Sequence, residues 1–347
     1  MAGGCTGRVG GVYPRVMLRV LHVGFGPLGQ RIVSDLYARK LGRVLAIVDI
    51  WPELRGRALR DFVPHAGNDV PITASLDDVL AGGAFDVALV TTSSDLARCA
   101  PTFRSLLRKG LPIVSTCEEL IFPWLRHAGL AQELDTLARS CGGRLLGTGV
   151  NPGAMMDTIP VFASTVCNKV ERVQVHRIQD ATTRRLPFQR KIGATLDREA
   201  FARGVGEGWL RHVGLGESLH FVAHYLGLPF DRWEESIEPV IASSAMTCGI
   251  GAIPAGHAAG VSQLATGYRG STPVVQLVFQ AAIGQANPHD RVVITGEPNL
   301  DLTFTGGVHG DVATSAMTLN AIQSLLAAPP GLHTSATVPL LRLARGG

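Results

Sequence analysis

Two adjacent carboxylates, Glu118 and Glu119, stand in the stretch PIVSTCEELIFPW, residues 112–124. Pro112 to Ser115 read as a buried strand, and the acids occupy the polar corner where it ends. A carboxyl group there either caps a helix or carries protons at a catalytic site. Thr116-x-x-Glu119 fits a capping box, and so does Ser115-x-x-Glu118, so one acid is assigned to a cap in either register. The other is left over in the first helical turn, flanked by Phe122 and Trp124. A carboxyl beside apolar groups is expected to have its pKa raised, as proton transfer near neutral pH requires. Spacing does not say which acid is which.

A second constellation binds rather than reacts. GFGPLG is a G-x-G-x-x-G pattern that follows an apolar strand, Leu18 to Val23, and opens a helix from about Leu28. That context predicts a dinucleotide turn made by Gly24, Phe25, Gly26, Pro27, Leu28 and Gly29, with the pyrophosphate on the helix N-terminus. Asp49 ends the second strand, 20 residues past Gly29 (49 − 29). An acid there accepts the ribose hydroxyls of NAD and repels a 2′-phosphate. NADP stays open, because Arg55 and Arg57 lie just beyond. Thr92 and Ser93, in TTSS at the end of a later strand, are expected cofactor contacts on the same sheet edge. The alternative is a glycine-rich turn in another doubly wound fold.

Three further segments have both a bland and a chemical reading. GTGVNPGAMMD (147–157) is either an interdomain linker or, through Asn151, Pro152 and Ala154, a wall of the nicotinamide and substrate pocket. The basic run around Arg177, Arg184, Arg185, Arg190 and Lys191 is a solvated face, a substrate-carboxylate site or an oligomer contact. His309 and Asp311 precede a final helix; Asp311 reads as its N-cap and His309 as a pocket residue. His220 and His224 have i,i+4 spacing, but Phe221 replaces the Glu of H-E-x-x-H, so no metal site is expected.

The elements that position these groups follow from periodicity. Through residue 150, apolar strands of four to eight residues alternate with helices, which implies a doubly wound parallel sheet. After Asn151 alternating segments such as KVERVQVHRIQDA, mixed with helices, read as an α+β unit with an antiparallel sheet. The helix GDVATSAMTLNAIQSLLA, stopped by Pro329 and Pro330, is expected to return to the first unit. Expected boundaries are 1–16 for a flexible extension or start-site artefact, 17–150 with 306–347 for the Rossmann domain, and 151–305 for the substrate and dimerisation domain. With 347 residues, 46% of them hydrophobic and 17% charged, the chain is long and apolar enough for two cores. Net charge is only +4 and no Lys/Arg block occurs, so neither a nucleic-acid nor a membrane surface is expected. The six cysteines show no C-x-x-C spacing, which suits a reduced, cytoplasmic protein. No G-x-S-x-G or P-loop supports a hydrolase or NTPase.

Taken together, VSTCEELIFPW, GTGVNPGAMMDT, RIQDATTRRLPFQRKIGA and HGDVAT…NAI…PPGL resemble the 2,4-diaminopentanoate dehydrogenase family, over about residues 18–340. Its relatives are the native NAD(P)-dependent amine dehydrogenases, and its N-terminal domain type is shared with dihydrodipicolinate reductase. The resemblance implies a homodimer that interconverts an amine with a ketone or aldehyde plus ammonia. It places the catalytic acid/base on Glu118 or Glu119, with Glu118 preferred. Substrate contacts are expected from the residue readings at Phe122, Trp124, Ala154, Arg184, Arg185, Lys191 and His309. Amine dehydrogenases often carry Phe after N-P-G; Ala154 implies a larger or differently shaped pocket. The competing readings are an imine or C=C reductase that needs no ammonia, and a non-catalytic cofactor sensor.

Overall fold

The computed structural model describes residues 17–344, so the extension read at 1–16 lies outside the described residues. The first part of the chain runs β1 (Leu18–Val23), α1 (Pro27–Ala38), β2 (Gly42–Val48), β3 (Ile72–Thr73), α2 (Leu76–Gly82), β4 (Val87–Val90), α3 (Leu96–Arg108), β5 (Pro112–Ser115), α4 (Trp124–Cys141) and β6 (Arg144–Gly147). The second part runs α5 (Ile159–Ala163), β7 (Lys169–Asp180), α6 (Leu186–Lys191), α7 (Arg198–Gly206), α8 (Leu215–Leu226), β8 (Arg232–Ile241), β9 (Met246–Cys248), β10 (Gly251–Ile253), β11 (Ala258–Arg269), β12 (Thr272–Ala282), β13 (His289–Glu297) and β14 (Leu300–Thr305). The chain then adds α9 (Gly310–Ala327) and β15 (Gly331–His333).

Strands β1–β6 and β15 form one parallel sheet in the order β15-β6-β5-β4-β1-β2-β3. Its strands are short apolar runs because both faces are covered. Alternate residues of β1 go to opposite sides. Leu18 and Val20 pack with Val33 and Leu36 of α1 and with Leu319, Ile322 and Leu325 of α9. Leu21 and Val23 pack with Phe103 and Leu106 of α3 and Leu134 of α4. Strand order reverses at β1, which has β2 on one side and β4 on the other; in such sheets that switch point is where ligands bind. α3 starts at Leu96, with the Asp95 side chain capping Arg98 N. Gly110 takes the left-handed position just after it, at φ 69°.

The second sheet has the order β14-β13-β7-β12-β11-β8. It is not purely antiparallel as expected, because β7 and β12 pair in parallel. One face packs under α7 and α8 through Val173, Val175, Leu277 and Phe279 against Phe201, Leu215, Leu219 and Val222. The intervening residues, among them Gln174 and Gln276 bonded at 3.0 Å, form the opposite face. Among the described residues no helix is long and apolar enough to cross a membrane.

Candidate active site

Parallel strands put all their carboxyl ends on one edge, so the spatial order of the sheet lays out the site. From one side to the other come Asp49 after β2, the glycine turn after β1, Thr91–Ser94 after β4, the glutamates after β5 and Asn151 after β6.

The glycine turn has the shape its pattern demands. Gly24 holds φ +90°, and a Cβ there would lie 2.8 Å from Thr91. A Cβ on Gly29 would lie 2.3 Å from the Gly24 carbonyl oxygen, so helix and strand meet as closely as backbone permits. A Cβ on Gly26 would meet nothing within 4 Å. Gly26 is the N-cap of α1, Pro27 opens the helix, and no side chain caps it. Its first amide donors and positive dipole end therefore face open space, and the residues fit a pyrophosphate. Thr91 Oγ1 donates to the Gly24 carbonyl at 2.5 Å, and buried His22 contacts the same oxygen at 3.0 Å. Burial pushes the His22 imidazole down to about 4, so the ring is neutral at pH 7.

The Phe25 ring is core, packed edge-on against His22 and Phe62, so only its backbone reaches the turn. Leu28 likewise packs against the core beneath α1. Asp49 accepts the Phe25 N–H at 2.5 Å and the Trp51 N–H at 2.8 Å. Its carboxylate is thus fixed beside the glycine turn, with lone pairs left for ribose hydroxyls. Arg57 is occupied by Asp61 at 3.5 Å and by the Phe62 ring at 4.4 Å. Thr92 is exposed, and Ser93 Oγ accepts the Asp95 N–H at 3.2 Å.

Neither capping box forms. Glu118–Ile121 is a single 3-10 turn whose N-cap, Cys117, makes no side-chain bond to the turn. Ser115 Oγ bonds the Val90 carbonyl and the Cys117 N–H instead. Glu119 does cap a helix, but the one 23 residues back: its Oε2 accepts the Leu96 N–H at 2.8 Å and lies 3.0 Å from His127 Nε2. Its own N–H is bonded to the Ser94 carbonyl. Glu118 makes no such bond. It is half-buried and faces Lys191 at the end of α6, 3.9 Å away.

Phe122 packs its ring against Trp124, Phe221, His220 and His224; Trp124 remains exposed. The two histidines read for their spacing are aromatic packing, and His220 Nδ1 contacts the Gly216 carbonyl. The segment after β6 lines the other side. Pro152 lies against Gly214, where a Cβ would come within 2.4 Å of the Pro152 ring. Asn151 Nδ2 and Thr148 Oγ1 are buried without partners, two polar groups in keeping with a ligand amide. Ala154 opens a wide helical turn, residues 154–158, braced by Asp157. Fully buried, Asp157 accepts Gly153 N–H at 2.7 Å and the Ser218 and Thr158 hydroxyls at 2.8 and 3.0 Å; burial pushes its carboxyl up to about 6. Sequence reading passed over it, although a lone acid in an apolar run was the available signal.

The basic segment divides. Arg177 is inside the protein, ion-paired with buried Asp290 at 2.7 Å, and is no part of a solvated face. Arg184 and Arg185 both pair with Asp311, at 3.3 and 3.2 Å, and Arg184 also stacks 4.0 Å over Phe188. These pairings correct the N-cap reading of Asp311: His309 holds that position without a side-chain bond, beside Arg184. Of the basic run, Lys191 is the cation the fold brings to a glutamate of the sheet edge.

Residues 154–346 match the family model of the 2,4-diaminopentanoate dehydrogenase C-terminal domain. Over 337 residues, 95% of either chain, the protein is 27% identical to 2,4-diaminopentanoate dehydrogenase of Acetoanaerobium sticklandii. Its fold is similar to that of an amine dehydrogenase from Mycobacterium smegmatis, with TM-score 0.83 and 22% identity over 95% of this chain and 98% of that one. Dipicolinate-bound dihydrodipicolinate reductase from Paenisporosarcina sp. TG-14 is more distant, at TM-score 0.51 and 13% identity over 92% and 98% of the two chains.

Proposed function

The chain belongs to the 2,4-diaminopentanoate dehydrogenase family, and from that premise we propose that Glu118 is the proton-transfer group of its NAD(P)-dependent amine/ketone interconversion. One observation carries the assignment. Of the two adjacent acids, Glu119 is consumed by the N-terminus of α3 and by His127, while Glu118 is left at the cofactor edge opposite Lys191.

Bound nicotinamide supplies the hydride acceptor or donor. The chain's own residues do the rest. The first turn of α1 and Asp49 would hold the pyrophosphate and ribose, and Asn151 would donate to the carboxamide. In the oxidative direction Glu118 takes a proton from the substrate ammonium, freeing the nitrogen lone pair to form the C=N bond as hydride leaves carbon. It then relays protons as water adds to the imine and the carbinolamine collapses to ketone and ammonia. Once that proton has passed to solvent, the carboxylate charge stabilises the iminium, and Lys191 balances that charge when no iminium is present. Glu118→Gln is expected to lower turnover by about 10²–10⁴-fold with dinucleotide affinity retained. Near-normal turnover in a steady-state assay refutes the assignment.

The finer readings rest on the same site. Residues 17–150 with 306–347 are the dinucleotide domain, which also brings Glu118 and Phe122 to the substrate, and 151–305 supply the remaining substrate contacts. Asp49 beside the ribose, with Arg57 already engaged, favours NAD over NADP; comparing kcat/KM for the two cofactors tests this. Phe122, Ala154 and Lys191 are the substrate contacts we favour, on 2,4-diaminopentanoate or a small amine. Arg184 and Arg185 are set aside because Asp311 holds them. Ammonia dependence of NADH consumption with ketones separates this reaction from a plain imine reductase. The family resemblance supports a homodimer, for which light scattering should give about twice 36.7 kDa. Free thiols at all five described cysteines agree with a cytoplasmic location.

A further inference from the structure

Two thiols meet at the same sheet edge without a part in the reaction above. Cys99 lies in the first turns of α3 and Cys117 directly follows β5; each is about 1% exposed. Both are anchored on the loop that carries Thr92 and Ser93. Cys99 Sγ donates to the Ser93 carbonyl at 3.4 Å, and Cys117 Sγ donates to the next carbonyl, Ser94, at 3.3 Å. Bonding to consecutive carbonyls sets both sulfurs against one short stretch of the same loop. Thr92, an exposed residue, has its hydroxyl 3.5 Å from Cys99 Sγ, so the covered pair lies one side chain from solvent on the cofactor side.

We propose that Cys99 and Cys117 are a redox-active pair that hydroperoxides convert to a disulfide, and that this disulfide switches off the edge carrying Glu118. The second half rests on the catalytic reading above; the first does not.

The chemistry divides between the two sulfurs. Each thiol is the strongest single influence on the other's proton: the neighbouring Cys117 sulfur brings the Cys99 thiol down to about 7, while Cys117 itself is pushed up. Cys99 therefore carries thiolate near neutral pH and is the nucleophile. Its sulfur attacks the outer oxygen of a hydroperoxide, the O–O bond breaks, the alkoxide leaves as an alcohol after taking a proton, and Cys99 becomes a sulfenic acid. Cys117 sulfur then attacks Cys99 sulfur, its proton leaves with the hydroxide as water, and the S–S bond forms. Two thiols and one hydroperoxide give one disulfide, one alcohol and one water. An S–S bond of about 2.05 Å requires both sulfurs to leave the Ser93 and Ser94 carbonyls. Cys117 is bonded directly to Glu118, and Ser94 holds the Glu119 amide. Closing the bond thus moves the chain that presents the catalytic acid.

The test is peptide mapping of the wild-type protein after graded tert-butyl hydroperoxide. The expected result is a Cys99–Cys117 crosslinked peptide, reversed by dithiothreitol, with turnover lost and regained in parallel. Cys99→Ser is expected to keep turnover and circular dichroism but to resist the peroxide. Oxidation of exposed Cys141 with no Cys99–Cys117 crosslink overturns the proposal, and so does a crosslink that leaves turnover intact. Mapping needs neither a variant nor an active enzyme, so failure of the amine reaction and failure of the thiol chemistry are read separately.

Discussion

Adjacent identical side chains with different environments are the clearest residue-scale result. Glu119 is bound into the fold at three points: its amide to Ser94, and its carboxylate to Leu96 and His127. Removing the carboxylate strands a helix N-terminal N–H and a half-buried imidazole. Glu119→Ala should therefore cost about 1–3 kcal/mol of stability in urea melts. Glu119→Gln retains an amide oxygen that accepts from both the Leu96 N–H and the His127 Nε2–H, so its turnover should stay within about tenfold of wild type. Glu118→Gln reverses that pattern, with stability kept and turnover lost. The two glutamine variants measured side by side separate the roles; equal activity losses would show that both acids act on substrate. Sequence could present the pair but not divide it. The true cap partner of Glu119 is 23 residues away on another helix, and local spacing favours two boxes that do not exist.

Long elements were legible and short ones were not, for a physical reason. β1, β2, β4, β5 and β6 are continuous apolar runs because helices cover both faces, and that pattern can be read directly. β3 and β15 have two and three residues, too few for any periodicity, and pairing with neighbours alone makes them strands. The parallel pairing of β7 with β12 is equally invisible, since alternation reports which face is buried and not which neighbour is adjacent. His22 shows what an element does to a residue that looks ordinary in sequence. β1 buries it beneath α1, where a neutral ring pins the glycine turn. An unfolded histidine takes up its proton near pH 6.5, whereas folded His22 waits until about 4. Between those values the unfolded chain binds more protons, so this group makes stability fall as pH falls, by up to about 1.4 kcal/mol per pH unit. Asp157 has the opposite sign. Its folded carboxyl keeps its proton up to about 6, so its contribution falls as pH rises from about 4 to 6. The two partly cancel in the wild type. His22→Asn removes one of them, so its melting temperature should drop less than that of wild type, or rise, between pH 6.5 and 4.5. Parallel pH profiles for the two proteins would refute the buried-neutral assignment.

At the scale of the whole molecule, the proposed catalytic edge is shared: Glu118 comes from the parallel sheet and Lys191 from α6 beside the second sheet. Something must hold these parts in register, and a buried polar staple is placed to do it. Arg177 of β7 pairs with Asp290 of β13, both almost wholly inaccessible, and both bind Val308 just before α9 returns to the first sheet. Gln179 Nε2 completes the shell at 3.4 Å from Asp290 Oδ1. Burial lowers the Arg177 pKa while Asp290 raises it, so the guanidinium depends on its partner. Asp290→Ala would leave that cation uncompensated and strand the Val308 N–H, at a cost of about 3–5 kcal/mol. Adding Arg177→Met removes the stranded charge, so the double variant should recover part of the loss and leave the smaller cost of the Val308 groups. Urea midpoints of wild type, both single variants and the double variant close the cycle. A double variant no more stable than Asp290→Ala would mean that the staple works through Val308 alone, and that the buried charge contributes nothing to holding Lys191 opposite Glu118.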